Sequence, residues 1–361
     1  MTTNHKVIIA NSNKMDVIAD KSVHLIVTSP PYPMIEMWDE MLSQQDPTID
    51  GCLKDGNGQE AFLKMHALLD QAWKECDRVL KDNGFVCINI GDATRTIDGE
   101  FQLFTNHTRI IDAFSKMGYS VLPDIHWRKQ SNAPNKFMGS GMYPAGAYVT
   151  YEHEYILIFR KGGKRVFKGQ EKALRQKSAF FWEERNVWFS DLWDIKGTTQ
   201  TIVSSKKDVR NRNASYPLEI PFRLVNMYSA EGDVVLDPFL GLGTTSIACM
   251  LSHRNSIGVE IDPKIAEIAL ANMNLPVNSA NRYINNRIKK HLDFIETLPA
   301  EKRKKCYINN PHGFAVKTKQ EMAIEIDQID QIIKEEDSYI CEYGKLKYEP
   351  EPEQIVLPGM E

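Results

Sequence analysis

Cysteine is scarce and scattered. The six cysteines, at positions 52, 76, 87, 249, 306 and 341, include no CxxC pair, and no histidine stands beside them at metal-ligand spacing. This excludes a zinc ribbon and a disulfide scaffold, and it predicts reduced thiols in a cytoplasmic protein without a bound metal. The nine histidines contain no HxxxH pair. No apolar run approaches the ~18 residues of a membrane span, and Val7 to Ala10 is too short for a signal peptide. An excess of one charge is missing as well: 44 Lys and Arg face 48 Asp and Glu, a net of −4.

What is present suits a soluble α/β protein. With 361 residues, 42% hydrophobic and 25% charged, the chain has material for about two compact units at ~150 residues each. The charge is unevenly spread. Arg160 to Arg212 holds 14 bases and 6 acids, whereas residues 320 to 361 hold 12 acids and 3 bases. A polyanion would dock on the first of these.

Short apolar runs alternate with helical patterns, the mark of a parallel sheet with crossover helices. Strands are predicted at Val7–Ala10, Leu25–Thr28, Phe85–Ile90, Val121–Trp127, Tyr155–Phe159, Val234–Asp237 and Ile257–Ile261. Phe62, Met65, Leu69, Trp73, Cys76 and Leu80 recur at helical spacing, with Gly84 placed to end that helix. Further helices are predicted at Asn106–Lys116, Ile220–Tyr228 and Thr244–Leu251, and from Asp262-Pro263 to Asn274. Three segments break the alternation: Met34–Gly58, Arg128–Tyr148 and residues 161–215. The last interleaves bases with Phe167, Phe180, Phe181, Trp182, Trp188, Phe189 and Trp193, and reads as an inserted module. Helical patterns follow Asn274, notably Ile324–Ile333, before an acidic Pro-Glu tail with the composition of a disordered segment.

Two motifs carry chemistry. Thr28-Ser29-Pro30-Pro31-Tyr32 ends a strand. Its two prolines lack N–H groups, so the carbonyls there stay free to accept hydrogen bonds. Ser29 adds an acceptor and Tyr32 a ring to stack on something flat. Such a segment is either a rigid turn with a surface tyrosine or a ligand site; its place at a strand end of an open α/β sheet favours the site. Asp237-Pro238-Phe239-Leu240-Gly241-Leu242-Gly243-Thr244-Thr245 lies between a strand and a helix, where glycines admit a ligand to the backbone. Glu260 closes the next strand and can take ribose hydroxyls. Ser246 stands where a dinucleotide fingerprint needs glycine, which disfavours NAD.

Together TSPPY, DPFLGLGTT and IGVEIDP resemble the motifs of the S-adenosylmethionine-dependent amino-methyltransferases of DNA. The chain looks most like the N4-cytosine enzymes of bacterial restriction-modification systems, in which serine commonly precedes the prolines; N6-adenine enzymes usually carry Asp or Asn there. Catalytic motif first and cofactor motif last is the permuted beta-class order. Asp20 to Val27, Glu152-His153-Glu154-Tyr155-Ile156-Leu157 and Tyr216-Pro217-Leu218-Glu219-Ile220-Pro221 extend the likeness over roughly residues 5 to 161 and 215 to 275. One position departs: Ala10-Asn11-Ser12 stands where the family often has Gly-Asp-Ser.

The resemblance implies a Rossmann-like methyltransferase fold with a mostly parallel seven-stranded sheet. It divides the chain into a catalytic half (1–160), a target-recognition region (161–215), a cofactor-binding half (216–275) and a helical extension with an acidic tail (276–361). Ser29, Pro30, Pro31 and Tyr32 are then catalytic. Asn11, Asp237, Phe239, Gly241, Gly243, Thr244 and Glu260 hold S-adenosylmethionine, and Lys206, Lys207, Arg210 and Arg212 contact double-stranded DNA. Met37 and Trp38 suit a lid over a flipped base; His153 suits the base pocket less well than a packing role. A separate restriction endonuclease is the implied partner. Three other readings stay open: an N6-adenine enzyme, methylation of protein glutamine or RNA (where the motif order is normally the reverse), and a DNA-binding module with a decayed site.

Overall fold

The computed structural model describes residues 1–129, 138–139, 141–197 and 216–346. Its main sheet has ten strands: β1 (Thr2–Ile9), β2 (Val23–Thr28), β3 (Leu80–Ile90), β4 (Ser120–Arg128), β5 (His153–Arg160), β6 (Leu192–Asp194), β7 (Val234–Asp237), β8 (Asn255–Glu260), β9 (Asp327–Lys334) and β10 (Ser338–Lys345). Their order is β6-β4-β5-β3-β2-β7-β8-β1-β10-β9. The expected seven strands form the middle, from β4 to β1. There β1, β8, β7, β2 and β3 pair in parallel, while β5 runs antiparallel to both β3 and β4. The short β6 extends one edge, and the β9–β10 hairpin extends the other by pairing antiparallel to β1.

Helices α1 (Asp39–Gln45), α2 (Thr48–Lys54), α3 (Gly58–Val79), α4 (Asn106–Lys116), α5 (Gln170–Lys177), α6 (Trp182–Trp188), α7 (Glu219–Tyr228), α8 (Thr244–Met250), α9 (Pro263–Met273) and α10 (Val277–Thr297) flank the sheet or its loops. The central strands are apolar on both faces because both are covered; Leu25 and Ile26 are each fully buried. One face packs Trp73, Phe114 and Phe159, the other Trp127, Phe181 and Trp193.

Four expectations change. Gly84 does not end α3, which stops at Val79 and runs straight into β3. A Cβ at Gly84 would lie 2.9 Å from the His24 carbonyl oxygen and 2.7 Å from the Leu80 side chain, so this glycine serves the close approach of β3 to β2. Ile324–Ile333 is not helical: Asp327–Lys334 is an edge strand, bulged between Ile329 and Gln331, which buries Ile329 against the core. Partnering with β10 overrides the apparent helical spacing. Met34–Gly58 is not a bare loop but contains α1 and α2, which bury Met34, Leu42 and Ile49 against Ala61, Phe62 and Met65 of α3.

The fourth change concerns residues 161–197. Phe181, Trp188 and Trp193 are buried in the main core, so these aromatics hold the fold and are not available for stacking on bases. Truncating Trp193 to alanine would cost about 3–5 kcal/mol. Lys206, Lys207, Arg210, Arg212 and the Pro-Glu tail lie outside the described residues.

Candidate active site

The strand order sets the two motifs side by side. β2 and β7 are neighbours, so Ser29-Pro30-Pro31-Tyr32 and Asp237 to Thr244 leave adjacent strands at their carboxyl ends. Between them opens a cavity of about 520 Å³. Ser29, Pro30, Pro31 and Tyr32 line one part of it. Asn11, Asp237, Phe239, Gly241, Thr244 and Glu260 line the other. Gly243 does not: at φ +84° it caps α8, and a Cβ there would sit 3.4 Å from the Ala269 carbonyl oxygen and Cβ of α9. The left-handed φ and the place beside Ala269 are what ask for glycine at this cap.

Asp237 organises the junction. Its Oδ1 accepts from Thr28 Oγ1 at 2.6 Å and from the Phe239 N–H at 3.1 Å, and its Oδ2 accepts from Thr245 Oγ1 at 2.6 Å. Burial pushes this carboxyl up to about 6. Glu260 accepts from the N–H groups of Gly241 and Asp262, each at 3.0 Å, and burial raises its pKa above the ordinary range. Gly241 takes φ +53°, and the nearest atom to a Cβ there is 3.9 Å away, so the backbone lies open to the cavity.

Helix α1 roofs the cavity. Met37 and Trp38, just before it, and Met41 and Gln45 within it all line the space. It is fastened twice: Arg95 donates to Asp39 through both Nη atoms at 2.9 and 2.7 Å, and Asn11 Nδ2 donates to Gln45 Oε1 at 2.9 Å. Asn11 thus meets another amide where a carboxylate was the family expectation.

Two further polar residues join the Ser29–Tyr32 loop. Asn89 of β3 and Glu154 of β5 are buried, and Asn89 Nδ2 donates to Glu154 Oε2 at 2.6 Å. Tyr32 Oη donates to that same oxygen at 2.8 Å. Sequence reasoning gives neither a role, although each is a polar residue in an apolar strand, Asn89 between Ile88 and Ile90 and Glu154 before Tyr155 to Phe159. Tyr216 also lines the cavity and shares a 2.5 Å hydrogen bond with Thr245 Oγ1. His153 packs against Tyr151 and His126, with ring centroids 4.5 and 5.3 Å apart. The alternation of side chains along β5 turns it away from the face that carries Glu154.

The cavity's size suits a nucleoside-bearing cofactor. Gly241 leaves backbone accessible, and Glu260 offers a carboxylate beside it. Among the described residues, no helix is long and apolar enough to cross a membrane.

A DNA methylase family model, that of the N6 and N4 methyltransferases, matches residues 23–271. The chain is 50% identical over 329 residues to the Type II methyltransferase M.MthZI of Methanothermobacter thermautotrophicus, covering 90% of this chain and 91% of that protein. It is likewise 50% identical over 279 residues to M.MjaI of Methanocaldococcus jannaschii, covering 74% and 90%. Among solved structures it resembles a DNA modification methylase of Thermus thermophilus in complex with S-adenosyl-L-methionine, at 33% identity and a TM-score of 0.55 over 74% of this chain and 94% of that one. With the fold, the paired motifs and these likenesses in agreement, the chain belongs to the N6/N4 DNA methylase family and is an S-adenosylmethionine-dependent Type II DNA methyltransferase.

Proposed function

We propose that this enzyme methylates the exocyclic N4 of a cytosine flipped out of double-stranded DNA, at a specific sequence, as host protection in a restriction-modification system. The observation that carries this reading is Ser29 beside the Pro30 carbonyl at the carboxyl end of β2, where N6-adenine enzymes usually have Asp or Asn. An exocyclic amine is a weak nucleophile because its lone pair is delocalised into the ring. Two acceptors that hold both N–H groups turn that lone pair out of conjugation and toward the methyl donor. Flipping costs a few kcal/mol, of which stacking on Tyr32 offsets ~1–3 kcal/mol.

S-adenosylmethionine supplies an electrophilic methyl on a sulfonium. In this reading Glu260 holds the ribose, Phe239, Gly241 and Thr244 line its bed, Asn11 lies near the adenine, and Asp237 shapes the turn. Rate then comes mainly from positioning. The basic segment within 161–215, with Lys206, Lys207, Arg210 and Arg212, supplies phosphate and base contacts, and a separate endonuclease would cut unmodified sites.

Mass spectrometry of nucleosides from an expressing host tests the base, and modified-base sequencing returns the recognition site. N4-methylcytosine is expected. N6-methyladenine alone would transfer the same site to adenine.

A further inference from the structure

The tyrosine of the catalytic loop has more hydrogen-bonding partners than stacking requires. A phenyl ring stacks as well as a phenol, yet the Tyr32 hydroxyl is held by three groups. Asn89 Nδ2 donates to Tyr32 Oη at 2.7 Å, Tyr32 Oη donates to Glu154 Oε2 at 2.8 Å, and Ser29 Oγ lies 3.1 Å from Tyr32 Oη. A phenol has one proton. Since it goes to Glu154, Ser29 must donate to Tyr32; one serine lone pair faces Asn89 Nδ2 at 3.5 Å, which leaves the other for an N–H of the incoming amine. Glu154 is 8% exposed and its other oxygen pairs with Lys129, whose side chain is 42% exposed. The chain of hydrogen bonds therefore runs from the catalytic loop to a group in contact with solvent.

We propose that Ser29, Tyr32 and Glu154 form a proton relay that removes a proton from the target amine during methyl transfer. The proposal rests on the reading in which Ser29 accepts from the flipped base. As the N–CH₃ bond forms, the S–CH₃ bond breaks and sulfur keeps its electron pair; the nitrogen then carries one proton too many. That proton passes to Ser29 Oγ as the serine proton moves to Tyr32 Oη and the tyrosine proton to Glu154 Oε2. The net change is one proton moved from the amine to Glu154, which returns it to water beside Lys129. Burial next to Glu154 holds the Tyr32 hydroxyl well above its ordinary pKa, so the tyrosine passes a proton on without resting as phenolate.

The test is single-turnover transfer of a radiolabelled methyl group into plasmid DNA from a non-methylating host. Tyr32→Phe keeps the ring and cuts the relay; Glu154→Gln keeps the shape and accepts no proton. Each should lower the rate about 100-fold or more, and the double variant should be no slower than either one. Glu154→Asp, shorter but still able to take a proton, should outpace Glu154→Gln; a purely structural role demands the reverse order. Melting temperature, calorimetric cofactor affinity and fluorescence of 2-aminopurine at the mapped target position should stay at wild-type values in Tyr32→Phe. A Tyr32→Phe enzyme at full rate, or Glu154→Gln faster than Glu154→Asp, would overturn the relay. A fully active Ser29→Ala would instead overturn the site assignment beneath it.

Discussion

Thr28 Oγ1 donates to Asp237 Oδ1 at 2.6 Å and thereby joins the ends of β2 and β7. The Ser29–Tyr32 loop begins one residue after Thr28, and the glycine-containing turn begins at Asp237 itself. Asp237→Ala should strip acceptors from Thr28, Thr245 and the Phe239 N–H, and leaving buried donors unpaired costs about 1–3 kcal/mol each. A melting temperature lowered by several degrees, together with weakened S-adenosylmethionine binding in calorimetry, is the expected outcome. Asp237→Asn, which keeps the shape, should lose much less.

The same carboxylate gives a signed pH effect. Burial raises it from an ordinary 3.8 to about 6, so between those values the native protein holds a proton that the unfolded chain has released. This group therefore favours the folded state increasingly as pH falls through that window. His5 acts oppositely: it is fully buried, and desolvation lowers it from 6.5 to about 3, so unfolding takes up a proton once pH drops below 6.5. The two slopes oppose each other. Urea unfolding of Asp237→Asn should show steeper loss of stability on acidification from about pH 6 to about pH 4 than the wild type, by up to ~1.4 kcal/mol per pH unit. His5→Gln should show a shallower one.

Gly241 and Gly243 should separate in mutagenesis. Gly241→Ala places a methyl in open space at a strained φ, for about 1 kcal/mol of stability and a measurable loss of cofactor affinity. Gly243→Val presses on Ala269 from a left-handed cap and should lower the melting temperature more, affecting the cofactor only through the fold. A larger loss of cofactor affinity in Gly243→Val than in Gly241→Ala, at equal melting temperatures, would reverse these roles.

The roof helix should open more readily without its ion pair. Arg95→Met removes the two-pronged contact to Asp39, a partly buried pair worth about 1 kcal/mol. Stopped-flow cofactor release should accelerate several-fold while the melting temperature barely moves.

Replacing Lys206, Lys207, Arg210 and Arg212 by Ala should flatten the salt dependence of DNA affinity, by about 0.9 in log–log slope for each phosphate no longer neutralised. An unchanged slope and site preference would move the recognition surface elsewhere, with Arg282 to Lys319 next in line.

Both motif loops are legible because each is a contiguous string whose strand, turn and glycines are written together. Asn89 and Glu154 are not, since they lie 65 residues apart and meet only through the antiparallel pairing of β3 with β5. The contact of Gly243 with Ala269 is hidden for a related reason: Ala269 belongs to another helix, so only tertiary packing tells the surroundings of the two glycines of one motif apart. The aromatics Phe181, Trp188 and Trp193 look like part of a basic surface because composition reflects neighbours along the chain, whereas burial depends on the partners that folding brings.

The β9–β10 hairpin has a further bearing on how the protein behaves in bulk. Without it β1 would be an open edge, Thr2 to Ile9 offering unpaired backbone groups to any other strand. In its place the outermost strand is bulged and carries Asp327, Asp330 and Lys334, poor features for strand-to-strand association. Shortening the chain before residue 327 should thus convert a dispersed protein into one that self-associates through β1, with light scattering rising as concentration increases.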